Sequence, residues 1–418
     1  MKKQLSFMHL LILAILLTFI PTSTFASHEN ITVILDGEKI EFDVQPTIIN
    51  GRTMVPLRAI FEALGAEVTW DDATQTVEAD KNNTYIKLSI NNSTMYVNSV
   101  PKNLDVPATL VNSRTLVPVR AISEAFECDV KWDDATSTVF IYSEDYIDLS
   151  KMTNEVETVY IYTAQELIDS IGNNKRLILK SNYYNLSDVK SSNNPFVEKS
   201  EYSDGFIIKG VVNLTIIGNA EIAIDDIYAD VLDFKKCAYI TLDGLTVGHT
   251  FSYEQYECEG SVISLDVCQA VTIKNCNLYG CGAVGVSAYK TKTLTVTKSN
   301  IYDCSYSGIW FINTESIVEQ CNFYDSNYFC GFCRADNSKI TLSNCYIYNT
   351  IGDYLIDTFD SFDEPSVITV DNCSFESNTF SSLTNQETAN LTFKDCYFNK
   401  NIGNIQQRNA SFENCYFN

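Results

Sequence analysis

Residues 354–365 of the 418-residue chain crowd Asp357, Asp360, Asp363 and Glu364 into a short insertion. Carboxylates at that density are what a hard cation such as calcium takes as ligands, which makes Asp357, Asp360 and Asp363 the calcium candidates. The same run also reads as a solvated loop whose charge resists aggregation. Tyr279, Tyr302, Tyr324 and Tyr348 recur at nearly constant phase. As ligand-binding candidates they would stack on sugar rings; as packing residues they would stack on one another. Cys330 and Cys333 have the CxxC spacing of redox motifs and of half a zinc site. They lack the helix N-terminus that lowers a thiol pKa in redox sites, so structural filling is the simpler reading.

These residues sit on a repeated phrase. It reads ITLDGLTV at 240–247, VTIKNCNL at 271–278, ITLSNCYI at 340–347 and LTFKDCYF at 391–398, with variants between and after. The equivalent position is Leu245, Cys276, Ser299, Cys321, Cys345, Cys373, Cys396 and Cys415, at steps of 19 to 31 residues. Apolar and polar residues alternate within each phrase, as in a strand with one buried face. The phase breaks just before the cysteine, where Asn tolerates a bend. A further apolar run separates successive phrases, so each coil has about three short strands, the rung of a solenoid. Coils stacked ~4.8 Å apart hold in-register cysteines farther apart than the ~3.8 Å between Cβ atoms that a disulfide needs. The cysteine column therefore predicts buried free thiols acting as small apolar spacers. The last copy, ASFENCYFN, leaves Phe412 and Phe417 without a following cap, which predicts self-association or a partner at the C-terminal end of the stack.

Residues 1–26 carry two lysines, an apolar run and Thr-Phe-Ala before Ser27, the pattern of a secretory signal peptide. No second long apolar segment follows, so no membrane span is expected after its removal. A net charge of −24 argues against nucleic acid as a partner, which needs clustered Lys and Arg. The pattern divides into a signal at 1–26, a tandem unit at 27–143, a linker at 144–158 and the solenoid at 159–418.

The tandem unit is a duplication at a constant offset of 62. Seventeen of thirty positions are identical between residues 51–80 and 113–142. Each copy predicts two short strands, a helix starting near Pro56 or Pro118, and a hairpin carrying Trp70 or Trp132. The residues Arg52-Thr53, Val55-Pro56-Leu57-Arg58, Glu62 and Trp70-Asp71-Asp72, repeated at Arg114-Thr115, Val117-Pro118-Val119-Arg120, Glu124 and Trp132-Asp133-Asp134, resemble the copper amine oxidase-like N-terminal domain, or stalk domain, of secreted proteins of Gram-positive bacteria. The resemblance implies a spacer or envelope-binding module. Copper is not implied, because outside the signal the chain has two histidines, His28 and His249. The alternating Arg and Asp/Glu pattern reads as ion pairs and turn caps.

From about Val159 onward, a capping-box helix (Thr163 with Glu166) followed by the coils resembles the right-handed parallel β-helix of the pectate lyase-like superfamily. The fold class is thus mainly β, a small α+β tandem domain followed by a β-helix with an N-terminal capping helix. A lyase of that superfamily needs calcium carboxylates and an Arg or Lys base on neighbouring coils. The candidates in this sequence are Arg334, Asp336 and Asp357, near Asp353 and the acidic insertion. Paired aspartates with Gly-His-Gly, and Asp-Pro-His-Asp, are both missing. With three arginines in the solenoid, the sequence favours a non-catalytic, secreted or envelope-associated protein that binds cell-wall or extracellular polysaccharide, with no cofactor unless calcium. The alternative is a polysaccharide lyase or glycoside hydrolase with a site near residues 353–364.

Overall fold

The computed structural model describes residues 31–418 except 82, 251–258, 281–282, 360–364, 386–389 and 406–409. The signal segment at 1–26 and the calcium candidates Asp360 and Asp363 therefore lie outside the described residues. The chain divides into two compact units after Glu144.

The first unit is built around its own duplication. Strands Arg52–Pro56 and Arg114–Pro118 pair antiparallel with Val55 opposite Val117, so equivalent residues face each other across a pseudo-two-fold axis. Each leads into a seven-residue helix, α1 (Leu57–Ala63) and α2 (Val119–Ala125), with the proline as N-cap. Gly65, at φ +82°, ends the first in the left-handed conformation that a residue without Cβ adopts freely. Glu127 takes the same conformation after α2. The hairpins follow as expected, Glu67–Asp71 pairing Thr76–Lys81 and Asp129–Asp133 pairing Thr138–Tyr142. Two expected strands per copy before the helix was too few: Thr32–Leu35, Glu38–Lys39 and Thr47–Ile49 all precede Arg52–Pro56. They are two to four residues long, too short for alternation to register. Arg52 pairs with Asp105 and Arg114 with Asp43, each across the repeat boundary at 2.6 Å. Asp71 and Asp133 each cap their own turn.

The second unit is a three-faced parallel solenoid. Its three long sheets have eleven, ten and eight strands among the described residues, paired parallel from coil to coil except where Val197–Lys199 meets Phe206–Lys209, and a four-stranded sheet joins them in the later coils. The first coil strand, Glu157–Ile161, starts two residues ahead of the expected boundary at 159. The expected linker also packs against it: Thr153 N donates to Asn174 Oδ1 at 2.8 Å. Helix α3 (Ala164–Ser170) covers the first coil with Leu167 and Ile168, and Thr163 caps it by accepting from Glu166 N at 3.1 Å. The capping box closes through Glu166, which accepts from Tyr162 N.

Each bend before the repeated cysteine position is one left-handed residue: Gly244, Asn275, Lys298, Gln320, Asn344, Asn372, Asp395 and Asn414. That turns the chain from the eleven-stranded to the ten-stranded sheet in a single step. The cysteine column is buried except at Cys415, and the twelve described cysteines are free thiols. Their role goes beyond filling. Cys276, Cys321, Cys345, Cys373 and Cys396 each donate to the carbonyl two residues earlier, at 3.2–3.3 Å, and Ser299 does the same at 2.9 Å. Cys268, Thr291, Thr314 and Ser338 make the matching bond at the corner into the eleven-stranded sheet, and Cys304 and Ser326 at the third corner. Thiols and hydroxyls are interchangeable corner caps. Burial pushes Cys276 up to about 11 and Cys396 to about 12, which makes these two thiols poor nucleophiles at neutral pH. Phe323, Phe332, Phe375, Phe393 and Phe398 stack through the core of the later coils. Phe412 continues that stack on Phe393, while Tyr416 and Phe417 are exposed.

Candidate functional site

The outer face of the eight-stranded sheet brings chemistry together. Alternation along its strands points one residue in two outward, and register stacks these into a column: Asp233, Ser264, Ser287, Trp310, Arg334 and Asp357. The residues one position before each in the chain, such as Leu232, Ile263 and Val286, are buried in the core.

At the C-terminal end of the column the sequence candidates Arg334 and Asp357 meet. Arg334 Nε lies 3.4 Å from Asp357 Oδ2, with the two side chains 10% and 4% exposed. The guanidinium also lies over the Trp310 ring, 4.7 Å from its centroid, and over Tyr306 at 5.4 Å. Nη1 donates to the Tyr306 hydroxyl and, at 2.9 Å, to Cys330 Sγ. Phe329 stacks on Tyr306 from outside. Burial raises the Asp357 carboxyl, and Arg334 works against that. A base that must take a substrate proton needs an open approach and a free lone pair; this guanidinium is enclosed by a ring, a phenol, a thiol and a carboxylate. The pair is a buried ion pair in the wall. Asp336 is buried two residues along the same strand. Asp353 is exposed on the strand Ile351–Tyr354. Asp357 faces Arg334, and among the described residues no three metal-ligating side chains converge. The CxxC residues separate: Cys333 belongs to the core, whereas Cys330 faces Arg334.

The tyrosines form a column on the ten-stranded sheet. Tyr279, Tyr302, Tyr324 and Tyr348 stack at centroid spacings of 5.9, 4.9 and 5.0 Å with planes 21° to 7° apart. Their faces are turned to one another, so a sugar approaching this wall meets ring edges and hydroxyls. Tyr279 donates to Glu221, and Tyr346, beside Tyr348, to Glu376.

The opposite end of the first column was not read from the sequence. Asp233 and Asp230 border a depression of about 290 Å³ with Tyr202, Phe206, Tyr228 and Glu259. Burial raises both carboxyls, and the neighbouring Asp230 charge helps to push Asp233 up to about 7. Ser261 N donates to Asp230 Oδ1 at 2.6 Å, fixing that carboxylate. His249 is buried nearby, its Nε2 at 2.9 Å from Ala229 O, and burial lowers its pKa. A carboxylic acid that stays protonated near neutrality beside a second carboxylate is a competent proton donor and acceptor pair. Asp-x-x-Asp leading into a strand is too common a spacing to mark such a pair in advance.

Residues 34–141 match the family model described as Copper amine oxidase N-terminal domain, and residues 261–417 match the one described as Right handed beta helix region. The first match falls on the tandem unit and the second on the later coils of the solenoid. A curated relative, "Protease inhibitor" from Brevibacillus choshinensis, is 29% identical over 137 residues, which is 32% of this chain and 40% of that protein. The chain thus spans about two fifths of that relative's length. Among solved structures it is similar to an alginate lyase from Paenibacillus sp. str. FPU-7, at TM-score 0.34 and 14% identity over 61% of this chain and 99% of that one. It is also similar to pectate lyase Pel9A, at TM-score 0.39 and 11% identity over 64% and 81%. Likeness at this level bears on neither substrate nor chemistry.

Proposed function

We propose that the chain is a glycan-binding protein of the cell exterior whose β-helix holds polysaccharide along the outer face of the eight-stranded sheet without cutting it. The register of Asp233, Ser264, Ser287 and Trp310 carries this reading. Those four span three inter-strand steps, about 14 Å, and offer a carboxyl, two hydroxyls and an indole in a straight, half-exposed line. A sugar chain needs flat apolar support and regularly placed polar partners, and this line supplies both. Tyr289, outward on the strand that carries Ser287, adds a second ring beside it. Affinity electrophoresis of the mature chain in gels cast with neutral and uronate polysaccharides tests the reading. Retardation that Trp310→Ala reduces supports it; equal mobility of the two proteins in every gel contradicts it.

One observation favours a second reading, glycoside cleavage. Asp233, titrating near 7 beside Asp230, would serve as general acid while the partner carboxylate serves as base. Reducing-end products that vanish in Asp233→Asn would establish it. Cleavage that instead needs Asp357 would return the chemistry to residues 353–364.

A further inference from the structure

Two concavities in the tandem unit, of about 780 and 570 Å³, repeat each other. The first is lined by Arg58, Glu62, Trp70 and Asp72, and closed by Asp43 and Arg114 from beyond its own helix and hairpin. The second is lined by Arg120, Glu124, Trp132 and Asp134, and closed by Asp105 and Arg52. The offset of 62 carries each residue onto its counterpart, and the pseudo-two-fold at Val55 and Val117 relates the clefts.

The duplication itself shows which of these residues the fold requires. Identical pairs such as Val55/Val117, Ile60/Ile122 and Val77/Val139 are buried, and Asp71/Asp133 cap turns. Packing explains them. Arg58/Arg120, Glu62/Glu124, Trp70/Trp132 and Asp72/Asp134 are identical and exposed, the indoles at 39% and 37%. Exposed positions among them have diverged, as Thr69 against Lys131 shows. An exposed indole carries a hydration cost that stability alone gives no reason to keep twice. Trp132 Nε1 donates to Asp134, which fixes that ring at the cleft wall.

The lining chemistry selects the occupant. Four acids face two arginines in the first cleft, and three acids face three bases in the second, so neither cleft is a sink for a polyanion. Each offers one flat apolar face flanked by planar groups of both signs that bond two adjacent hydroxyls at once. That is the complement of a pyranose ring, apolar across its C–H face and hydroxylated around its rim. Two equivalent clefts on one rigid frame suit a ligand that repeats, because the second ring binds at the effective concentration set by the first.

We infer that the tandem unit is a bivalent binder of an uncharged, repeating pyranose polymer, with one ring on Trp70 and another on Trp132. This site is independent of the β-helix face. Depletion isotherms of the full mature chain on chitin, on cellulose and on peptidoglycan stripped of charged polymers test it. Trp70→Ala and Trp132→Ala should each weaken retention on at least one of these by about tenfold, and the double substitution by roughly a hundredfold or more, on the multivalent expectation. Trp70→Phe, which keeps a flat ring, should stay within about threefold of the parent, and an unchanged thermal melt of each variant excludes misfolding. Retention that survives the double Trp→Ala substitution but falls with Trp310→Ala would overturn the inference and leave the β-helix reading standing. Absence of retention on all three polymers would overturn it outright.

Discussion

The tandem unit and the solenoid both repeat, but they repeat different things. In the solenoid the recurring residues serve the coil itself: the left-handed bend at the surface, the buried thiol or hydroxyl that caps it, the apolar residues beside it, and half-exposed tyrosines that stack on one another. The outward column of its eight-stranded sheet changes along the stack, from Asp233 through two serines to Trp310 and Arg334. In the tandem unit, buried residues recur too, yet a set of exposed ones recurs with them. Repetition inside a core reports packing. Repetition on a surface that packing leaves free reports a ligand met twice. Where the surface does not repeat, as on the eight-stranded sheet, the ligand is read from the sequence of side chains along the column.

Substitutions that strike one kind of position and spare the other would break or sharpen that contrast. The largest effect is expected at Arg334→Ala, which leaves Asp357 buried without its cation and should lower stability by about 3–5 kcal/mol in denaturant unfolding. A loss below about 1 kcal/mol would mean the pair is open to solvent and would reinstate Arg334 as a reactive group. Next comes Asp233. Its carboxyl is raised to about 7 in the folded chain from an ordinary 3.8, so the native state keeps a proton that the unfolded chain gives up. The resulting stabilisation is fully present below about pH 4 and lost as pH rises through 7, a swing of up to about 4 kcal/mol. Comparing the pH dependence of stability in Asp233→Asn with the parent isolates it; parallel curves would contradict the shift. Cys321→Ser should then cost no more than about 1 kcal/mol, because Ser299 already fills the equivalent corner with the same bond. A larger loss would show that the thiols do more than cap. Smallest of all, Trp70→Ala should change stability by less than about 1 kcal/mol while its polymer binding falls, separating a surface residue from a packed one.

The fold was legible because its signals are local and repeated. Alternation at period two, the Asn-Cys bend and the 62-residue offset each recur often enough to be recognised without a partner. The other two corner ladders escaped notice because Cys268, Thr291, Thr314 and Ser338 belong to different residue classes, and what they share is a bond geometry. Arg334, Asp336 and Asp357 were recognised as residues able to do chemistry, but the enclosure of Arg334 depends on Trp310 from the neighbouring strand and on Tyr306 and Phe329 from the segments between strands. Burial by neighbours from other coils has no local signature, and it encloses the Arg334–Asp357 pair. The tyrosine stripe had the converse fate: its phase was plain, whereas the turn of its rings toward one another follows from the inter-coil spacing. Asp230 and Asp233 gave no sequence signal, since the depression that raises them is assembled from three segments.

Binding without cleavage is the central claim, and one assay on the mature chain reaches it most directly. Retention on a panel of neutral and uronate polysaccharides, read in the same wells for reducing-end and unsaturated products, should show retention on at least one polymer and no product above buffer from pH 5 to 8. Product release from any polymer, abolished by Asp233→Asn, would contradict the account and make the β-helix an enzyme.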